Sequence, residues 1–303
     1  MSGSLLEVKK KISGVKNTRK ITKAMQLVAA SKMQRFQKRA IHSRAYTWDL
    51  LKILKSNLKE EDSSSIFTEE RKSGKTLFVL YTSDKGLCGS LNTKLINCLF
   101  RSNKWNDLAE NERMLITIGK KSDAYTTNNK IAVEKKFIEI PEKLNNLDAI
   151  KVIDSILEIW KKGEAKEVVL ISPHYKNSFT TYPVIKSFLP FTNKTIKDTL
   201  GVDADLEPKE EENENKFMYF SPSEEQVLER LYEQVIQAMF IQSFLELKAS
   251  EYSSRMIAMQ NATDAADRMI NDLKRVYNKA RQQSITQQIA ELIGASMAME
   301  EST

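Results

Sequence analysis

Two glycine-containing stretches carry the residue types that phosphate-binding sites use. Gly74-Lys75-Thr76 ends like a nucleotide-binding loop, but Glu69 stands where that motif needs its first glycine, and the triplet precedes a predicted strand. Gly86-Leu87-Cys88-Gly89 follows a predicted strand and precedes a predicted helix, a place where backbone N–H groups can hold an anion. Asp84 replaces the first glycine of the dinucleotide fingerprint. The first stretch therefore favours a solvated turn, and the second a backbone-driven turn or an anion site.

Side chains for nucleophilic or metal chemistry are scarce in the 303 residues. Cys88 and Cys98 are the only cysteines, and His42 and His174 are the only histidines. This composition excludes a disulfide scaffold and a four-cysteine zinc site, and it leaves little for a site of several histidines. We expect no metal and no cofactor. An enzyme with its site at Gly86–Asn92 is kept as one hypothesis, and nucleotide binding by the middle of the chain would favour it.

The charge of the chain is distributed unevenly. Residues 1–59 hold fifteen Lys and Arg against two acidic residues, whereas residues 223–303 hold eight basic and twelve acidic residues. A basic run can face nucleic acid, an anionic membrane or an acidic protein. Phe36 and Tyr46 are the aromatic residues between these charges, so few aromatic rings are available to stack on nucleic-acid bases. A nucleic-acid-binding or scaffolding coiled coil is a second hypothesis, and salt-dependent DNA affinity would favour it.

Glycine and proline divide the chain into three parts. No proline occurs before Pro141, and neither residue occurs from Ser223 to Ile293. All six prolines and five of the nine glycines lie between Gly86 and Pro222. Since these two residues interrupt helices, the pattern predicts a long helix, a punctuated middle and a second long helix.

The C-terminal stretch has a sustained heptad period. From Leu228 to Ala280 residues at alternating steps of three and four are apolar, except for Gln242 and Thr263. This 3.5-residue period predicts a coiled coil. After Ala280 the same positions are polar or small, while Ile293 to Met299 is small and apolar. We therefore expect the helix to continue past its partner into other apolar surroundings.

The N-terminal stretch is the natural partner of this helix. Its apolar seam begins with Leu5, Val8, Ile12 and Val15. After a shift of register, we expect the seam to resume at Ile21, Met25 and Val28. Helices from opposite ends of one chain that are joined through a compact middle pair antiparallel, and their opposite net charges favour this pairing.

The middle of the chain predicts a small, largely parallel α/β sheet, because strand-like and helix-like segments alternate. The predicted strands are Leu77–Tyr81, Met114–Ile118, Ile131–Ile140 and Glu167–Ile171, with an edge strand at Thr180–Phe188. The predicted helices are Leu91–Phe100 and Leu147–Lys161. The eight acidic residues of Thr192–Lys216 predict an exposed loop.

Three separated motifs resemble the gamma subunit of F-type ATP synthase. They are Val15–Met25 with Val28–Met33 near the start, Ser83–Asn92 in the middle, and Arg255–Met259, Ala262–Asp264, Asn278–Gln282 and Ser284–Gln287 with Glu291 and Gly294–Ser296 near the end. Two features depart from the family. Gln288 stands where the family usually has an acid, and Thr192–Lys216 is longer and more acidic. The regulatory cysteine pair of chloroplast members is missing.

The resemblance implies a fold and a mechanical role. The fold is α/β: a long antiparallel α-helical coiled coil of the N- and C-terminal helices plus a small central Rossmann-like α/β domain. The implied domains are residues 1–60, 75–220 and 223–303. The implied function is the central rotor shaft, a non-catalytic subunit that couples ion-driven rotation of a membrane ring to ATP synthesis or hydrolysis at active sites on other subunits.

The resemblance also implies partners and contact residues. The implied partners are the alpha and beta subunits of the catalytic ring, the epsilon subunit and the rotor ring of c subunits, with no nucleic acid and no membrane span. The implied contacts with the catalytic ring are Lys23, Met25, Arg255, Arg281, Gln282 and Thr286. The implied contacts with the rotor ring and epsilon are Phe217, Met218, Tyr219 and Phe220. We expect a peripheral membrane protein on the cytoplasmic face of the bacterial plasma membrane.

Overall fold

The two longest elements are the first and last helices of the computed structural model, which describes residues 2–57, 65–142, 146–192, 221 and 223–300. Helix α1 spans Ser2–Asn57 and the final helix, α6, spans Glu224–Glu300. Helix α6 runs without interruption because its sequence has no residue that breaks a helix before Gly294. The predicted long helices at both ends are therefore confirmed.

Short strands and helices alternate between these two helices. The strands are β1 (Lys75–Tyr81), β2 (Arg113–Ile118), β3 (Lys135–Phe137), β4 (Ala165–Tyr175) and β5 (Thr181–Leu189). The helices are α2 (Leu91–Phe100), α3 (Asn103–Asn106), α4 (Lys120–Asn128) and α5 (Asn146–Lys161). A short 3-10 turn at Glu110–Glu112 leads into β2.

The strands form one five-stranded sheet in the described part of the chain, with the order β3-β2-β1-β4-β5. Strands β1 to β4 pair in parallel, and β5 pairs antiparallel with β4 at the edge. The predicted parallel sheet with an added edge strand is confirmed. Strand β3 is shorter than the predicted Ile131–Ile140, because only Lys135–Phe137 pairs with β2.

Helix α4 is an element that the sequence analysis did not predict, because its segment Lys120–Asn128 is almost entirely polar. A glycine brings it close to the sheet. Gly119 has φ = +98°, and a Cβ atom at this position would lie 2.2 Å from the carbonyl oxygen of Thr82. Only glycine fits here. The Thr82 hydroxyl then donates to the carbonyl oxygen of Ile118 (3.1 Å) and accepts from the backbone N–H of Ser122 (2.9 Å).

The structure divides into two compact units. We call residues 30–254 the α/β unit, and residues 1–29 with 255–303 the helix-pair unit. The α/β unit contains the sheet and one continuous hydrophobic core, to which both long helices contribute. Helix α1 supplies Leu50, Leu51 and Leu54, and helix α6 supplies residues between Tyr232 and Leu247.

The helix-pair unit has a seam of buried and half-buried residues on each helix. On α1 the seam consists of Leu5, Val8, Ile12, Val15, Arg19, Thr22, Gln26 and Ala29. On α6 it consists of Met256, Met259, Thr263, Ala266, Ile270, Leu273, Tyr277, Ala280 and Ser284. Arg19 contacts Asp267, and Gln26 contacts Gln260, so the helices run antiparallel. The predicted antiparallel coiled coil is confirmed over this range.

The predicted register shift on α1 is wrong. The seam continues without a break through Arg19, Thr22 and Gln26, whereas Ile21 is 60% exposed and Val28 is 57% exposed. The prediction placed the seam on the nearest apolar residues. The polar residues lie in the seam because polar partners on α6 satisfy them, which the sequence of α1 alone does not reveal.

Candidate partner-binding surfaces

Lys23 and Met25, two of the residues implied to contact a catalytic ring, both lie on α1. Neither of them belongs to its buried seam. Lys23 is exposed, and its Nζ donates to Oε1 of Gln26 at 3.2 Å. Met25 is half-buried. Because the seam follows Thr22 and Gln26, Met25 lies beside the seam, and simple core packing accounts for only part of its surface.

The corresponding residues near the end of the chain lie on the exposed part of α6. Arg281, Gln282 and Thr286 are all exposed to solvent. Gln282 and Thr286 also line an open groove on this helix. The groove is lined by Lys279, Gln282, Gln283, Thr286, Gln287 and Ala290. These side chains present amide and hydroxyl groups that can make hydrogen bonds with a protein partner.

Arg255 differs from the other implied contact residues because it is only 7% exposed. This burial excludes a solvated helix face as the environment of Arg255. A buried guanidinium needs hydrogen-bonding partners within the protein, so Arg255 has a structural role whether or not it meets a partner subunit. The four residues implied to face the rotor ring and epsilon, Phe217, Met218, Tyr219 and Phe220, lie outside the described residues.

Between Ile285 and Ala295, α6 has no buried side. Every residue from Ile285 to Ala295 is exposed. Several of these are large and apolar: Ile285 (45% exposed), Ile289 (51%), Leu292 (71%) and Ile293 (56%). Contiguous exposed apolar residues on a helix indicate a contact surface for another molecule. The sequence analysis predicted an apolar end but began it at Ile293, whereas the exposed apolar residues begin at Ile285.

A second exposed apolar group, which the sequence analysis missed, lies on α1. Ile21, Leu27 and Val28 are between 57% and 61% exposed. Ile21 and Val28 were predicted to lie in the buried seam. Their exposure to solvent follows from the observed register of the helix pair. They flank Lys23, and this part of α1 therefore presents apolar and basic side chains to solvent.

The turn at Gly86–Gly89 is held by hydrogen bonds between residues on either side of it and within it. The backbone N–H of Ser83 donates to Oδ1 of Asn92 at 3.0 Å, and the Ser83 hydroxyl donates to the carbonyl oxygen of Lys85 at 2.7 Å. The Asn92 amide also donates to the Ser83 hydroxyl at 2.9 Å and contacts Sγ of Cys88 at 3.2 Å. These bonds favour the backbone-driven turn over an anion site.

The α/β unit contains a buried charge that sequence analysis did not identify. Glu246 on α6 has a side chain only 5% exposed. Its carboxylate accepts hydrogen bonds from Arg44 of α1 (3.1 Å) and from Gln242 (2.8 Å), and it lies 3.4 Å from Nδ1 of His174 on β4. Burial alone would raise the pKa of Glu246, but His174, Lys186 and Arg44 outweigh it and lower the pKa to about 2. The carboxylate is therefore charged at neutral pH.

A second carboxylate in the α/β unit joins both long helices. Glu142 accepts hydrogen bonds from Lys32 of α1 at 2.8 Å and from the Tyr252 hydroxyl of α6. Partial burial alone would raise its pKa, but these two hydrogen bonds lower the pKa below its usual value. Tyr252 also stacks on Phe36, with ring centroids 5.6 Å apart.

These contacts weaken the nucleic-acid hypothesis. Phe36, one of the two aromatic residues beside the basic run, is fully buried and cannot stack on a base. Arg19, Lys32 and Arg44 pair with carboxylates of the same chain. Cations that are neutralised within the protein contribute little to phosphate binding.

None of the helices in the described ranges is long and apolar enough to cross a bilayer. The same residues contain no group of three or more His, Cys, Asp or Glu side chains placed to hold a metal ion.

The structure combines two long helices, one from each end of the chain, with a mixed five-stranded α/β sheet. A sequence model of the family described as ATP synthase matches residues 4–299. The ATP synthase gamma chain of Clostridium botulinum (strain Kyoto / Type A2) is 32% identical over 301 residues, covering 98% of this chain and 99% of that protein. The gamma chain of Polynucleobacter asymbioticus is 33% identical over 300 residues, with the same coverage.

Solved structures show the same fold. The chain is similar to one in the rotational state 3 structure of Euglena gracilis mitochondrial ATP synthase OSCP/F1/c-ring, with a TM-score of 0.67, 18% identity, and coverage of 99% of this chain and 95% of that one. It is also similar to a chain in the central stalk/c-ring structure of Tetrahymena thermophila mitochondrial ATP synthase, with a TM-score of 0.57, 23% identity, and coverage of 80% and 99%.

This chain belongs to the family of ATP synthase gamma chains. It is a non-catalytic subunit of the central stalk, and a peripheral component of the membrane-associated complex. The hypothesis of an enzyme with a site at Gly86–Asn92 is therefore wrong. The nucleic-acid-binding alternative is not favoured.

Proposed function

We propose that this chain is the rotor shaft that couples ion-driven rotation of a membrane ring to conformational cycling of catalytic sites on beta subunits. Its partners are the alpha and beta subunits, the epsilon subunit and a ring of c subunits. Residues 1–60 and 223–303 serve as the shaft, and residues 75–220 serve as the domain nearer the membrane. The complex lies on the cytoplasmic face of a bacterial plasma membrane.

The observation that carries this proposal is the change along α6 within the helix-pair unit. Up to Ser284 the helix has a buried seam, and from Ile285 to Ala295 it is exposed on all sides and rich in large apolar residues. A slim apolar helix end can turn inside an apolar sleeve, because dispersion contacts have no preferred direction around the axis. An asymmetric shaft can then shift the population of each surrounding site through different contacts at each angle.

The proposed contact residues follow from their positions. Arg281, Gln282 and Thr286 are exposed on α6 and meet the inner loops of the ring. Lys23, with Met25 beside it, meets an acidic segment of the ring, since its ammonium group is exposed. Arg255 supports this surface from within. Phe217, Met218, Tyr219 and Phe220 meet the rotor ring and epsilon.

The first test is assembly. The full chain, co-expressed with alpha, beta and epsilon subunits from the same source, should co-purify with a stoichiometric hexamer of nucleotide-binding subunits. The same complex in vesicles with its membrane ring should synthesise ATP when an ion gradient is applied. Assembly without gradient-driven synthesis would contradict the coupling role.

The second test concerns Arg281. Arg281→Ala should lower the turnover of the assembled complex in both synthesis and hydrolysis, because one charged contact with the ring is lost. Arg275→Ala is the matched control, since Arg275 is also an exposed arginine of α6 and its side chain is 85% exposed. Equal turnover in the two variants would refute the assignment of Arg281.

A third test shortens the helix end. Removing residues 296–303 should weaken coupling gradually, because part of an apolar bearing is lost while the catalytic sites remain intact. Complete loss of ATP hydrolysis in a complex that still assembles would contradict a purely mechanical role.

A further inference from the structure

Three consecutive layers of the helix-pair unit join polar side chains of the two helices. On α6, Thr263 lies in the seam, and the half-buried Asp267 and Gln260 lie beside it. Nε of Arg19 donates to Oδ1 of Asp267 at 2.5 Å. The hydroxyl oxygens of Thr22 and Thr263 lie 2.8 Å apart. The third layer joins the amides of Gln26 and Gln260. Each layer follows the last by three or four residues, so they are successive levels of one heptad pattern.

The threonine layer lies in the buried seam. Thr22 is 9% exposed and Thr263 is 3% exposed. Each hydroxyl is also within hydrogen-bond distance of a carbonyl oxygen of its own helix, at Arg19 and Met259. One hydroxyl hydrogen therefore serves its own helix, and the other crosses to the partner helix. The bond across the seam forms only when the two threonines stand opposite each other.

The rest of the seam does not specify an alignment to the same degree. In an antiparallel pair with Thr22 opposite Thr263, Val15 lies level with Ile270, and Leu5 lies level with Ala280. These residues are apolar, and apolar layers can exchange partners after a slip of one heptad at modest cost. A slip of seven residues moves one helix along the other by about 10 Å.

The polar layers oppose a slip in either direction. In one direction Thr22 would come level with Ile270 and Arg19 with Lys274, so a buried hydroxyl would lose its partner and two cations would meet. In the other direction Thr22 would come level with Met256, and Asp267 would come level with Ile12. A buried polar group without a partner costs more than the hydrogen bond gains, so both slips are penalised.

We propose that Arg19–Asp267 and Thr22–Thr263 are positioning pairs that fix the axial register of the helix pair. The register determines how much of α6 continues past the start of α1. In the observed alignment the exposed run begins at Ile285. The role of this exposed run in a shaft rests on the proposed function, whereas the register of the two helices does not depend on it.

A positioning role makes a different prediction from an ordinary stabilising role. Replacing a buried polar pair such as Thr22–Thr263 by apolar residues of similar size is often neutral or stabilising. The Arg19–Asp267 ion pair, whose side chains are 42% and 46% exposed, contributes little to stability. The quadruple variant Arg19→Leu, Asp267→Leu, Thr22→Val and Thr263→Val should therefore melt at the same temperature as the parent or higher, and yet lose its single register. A contact that only stabilised the fold would lower the melting temperature.

Cysteine pairs introduced into the full-length chain report the register. Val15→Cys with Ile270→Cys reports the observed alignment. Val8→Cys with Ile270→Cys, and Val15→Cys with Tyr277→Cys, report slips of one heptad in the two directions. The disulfides are formed by mild oxidation, and mass spectrometry of the linked peptides separates them from links to the native Cys88 and Cys98.

With the polar layers intact, the link between positions 15 and 270 should dominate. In the quadruple variant the yield of the slipped links should rise about tenfold relative to that link, because unsatisfied buried groups no longer penalise slipped alignments. The control carries Lys16→Leu, Lys20→Leu, Asn271→Leu and Asn278→Leu at exposed positions. It should keep the parent pattern. The conservative pair Thr22→Ser and Thr263→Ser should keep it as well.

A quadruple variant that keeps only the link between positions 15 and 270 would overturn the proposal. A large fall in melting temperature without slipped links would also overturn it, since that would show an ordinary stabilising role. The readout does not depend on ATP synthesis. A shaft that fails to couple while keeping the observed link would therefore contradict the proposed function and leave the positioning role intact.

Discussion

Two stretches of α6 share one heptad pattern and yet differ in how they are buried. In the α/β unit, every residue from Gln242 to Ser253 is buried. In the helix-pair unit, from Arg268 to Ser284, the buried and half-buried residues follow the heptad, and all other positions are exposed. A heptad therefore reports that a helix has a partner along one side, and it does not report how many other elements cover the remaining sides.

The two stretches of α6 also differ in whether their charged side chains are buried or exposed. In the fully buried stretch, Glu246, Lys248 and Glu251 are all less than 9% exposed, and they have partners within the unit. In the helix-pair unit, Asp272 and Arg275 face solvent. Since removing one partner of a buried pair leaves an uncompensated charge, substitutions should cost much more in the first stretch than in the second.

The largest effect is expected at Glu246. Glu246→Gln should lower the free energy of unfolding by about 3–5 kcal/mol, because Arg44 and Lys186 would keep their charges without the carboxylate. Denaturant unfolding of the full-length chain measures this. Glu229→Gln is the control, since Glu229 is exposed on the same helix, and it should change stability by less than about 0.5 kcal/mol. Equal effects would show that burial does not distinguish the two sites.

The same carboxylate predicts an acid dependence. Because the folded pKa of Glu246 is lowered to about 2, its contribution is complete above the unfolded pKa, near 4.3, and is lost as pH falls towards 2. The contribution amounts to about 3 kcal/mol, from a pKa shift of roughly two units. The stability difference between the parent and Glu246→Gln should therefore shrink as pH is lowered from about 5 to about 2. A difference that is constant with pH would contradict the low pKa.

A smaller effect is expected in the seam of the helix-pair unit. Ile270→Ala removes a side chain that is 6% exposed, and it should cost about 2 kcal/mol. This is the lower end of the range for a buried isoleucine, because two helices can move together and close part of the space. Thermal unfolding followed by helical circular dichroism measures it. A cost above that of Glu246→Gln would reverse the order that the burial pattern predicts.

The smallest effect is expected one turn further, outside the seam. Val276 is 53% exposed on α6, and Val276→Ala should change stability by less than about 0.5 kcal/mol. Since alanine has the higher helix propensity, the change should be neutral or slightly stabilising. Compared with Ile270→Ala in the same assay, it isolates the contribution of the seam. Similar losses in both variants would show that the heptad does not describe the packing there.

Much of the fold was predictable because it depends on local patterns. The absence of proline before Pro141, and of both glycine and proline from Ser223 to Ile293, predicted the two long helices. Short strand-like runs predicted β1, β2, β4 and β5. Helix α4 was missed because Lys120–Asn128 has almost no apolar residues to reveal a period. Its position depends on a close approach at Gly119, which no local pattern shows.

The candidate surfaces were predicted less completely. Exposure of Arg281, Gln282 and Thr286 agrees with a contact role, which stays a prediction until tested. Arg255 was not expected to be buried. The seam residues Arg19 and Thr22 were missed because they are polar, and the prediction rested on apolar residues at heptad spacing. Each is identified as a seam residue only by its polar partner, which lies 248 residues away for Arg19 and 241 residues away for Thr22.

The sequence by itself determined which segments are helical or extended, and that the two ends of the chain pair. These properties depend on residues close together in the chain, where periodicity and backbone preference act. Only the tertiary structure decided the alignment of the two helices, the burial of Glu246 and the run of α6 that remains exposed. These properties depend on which distant polar groups satisfy one another, and a buried polar group is stable only where such a partner exists.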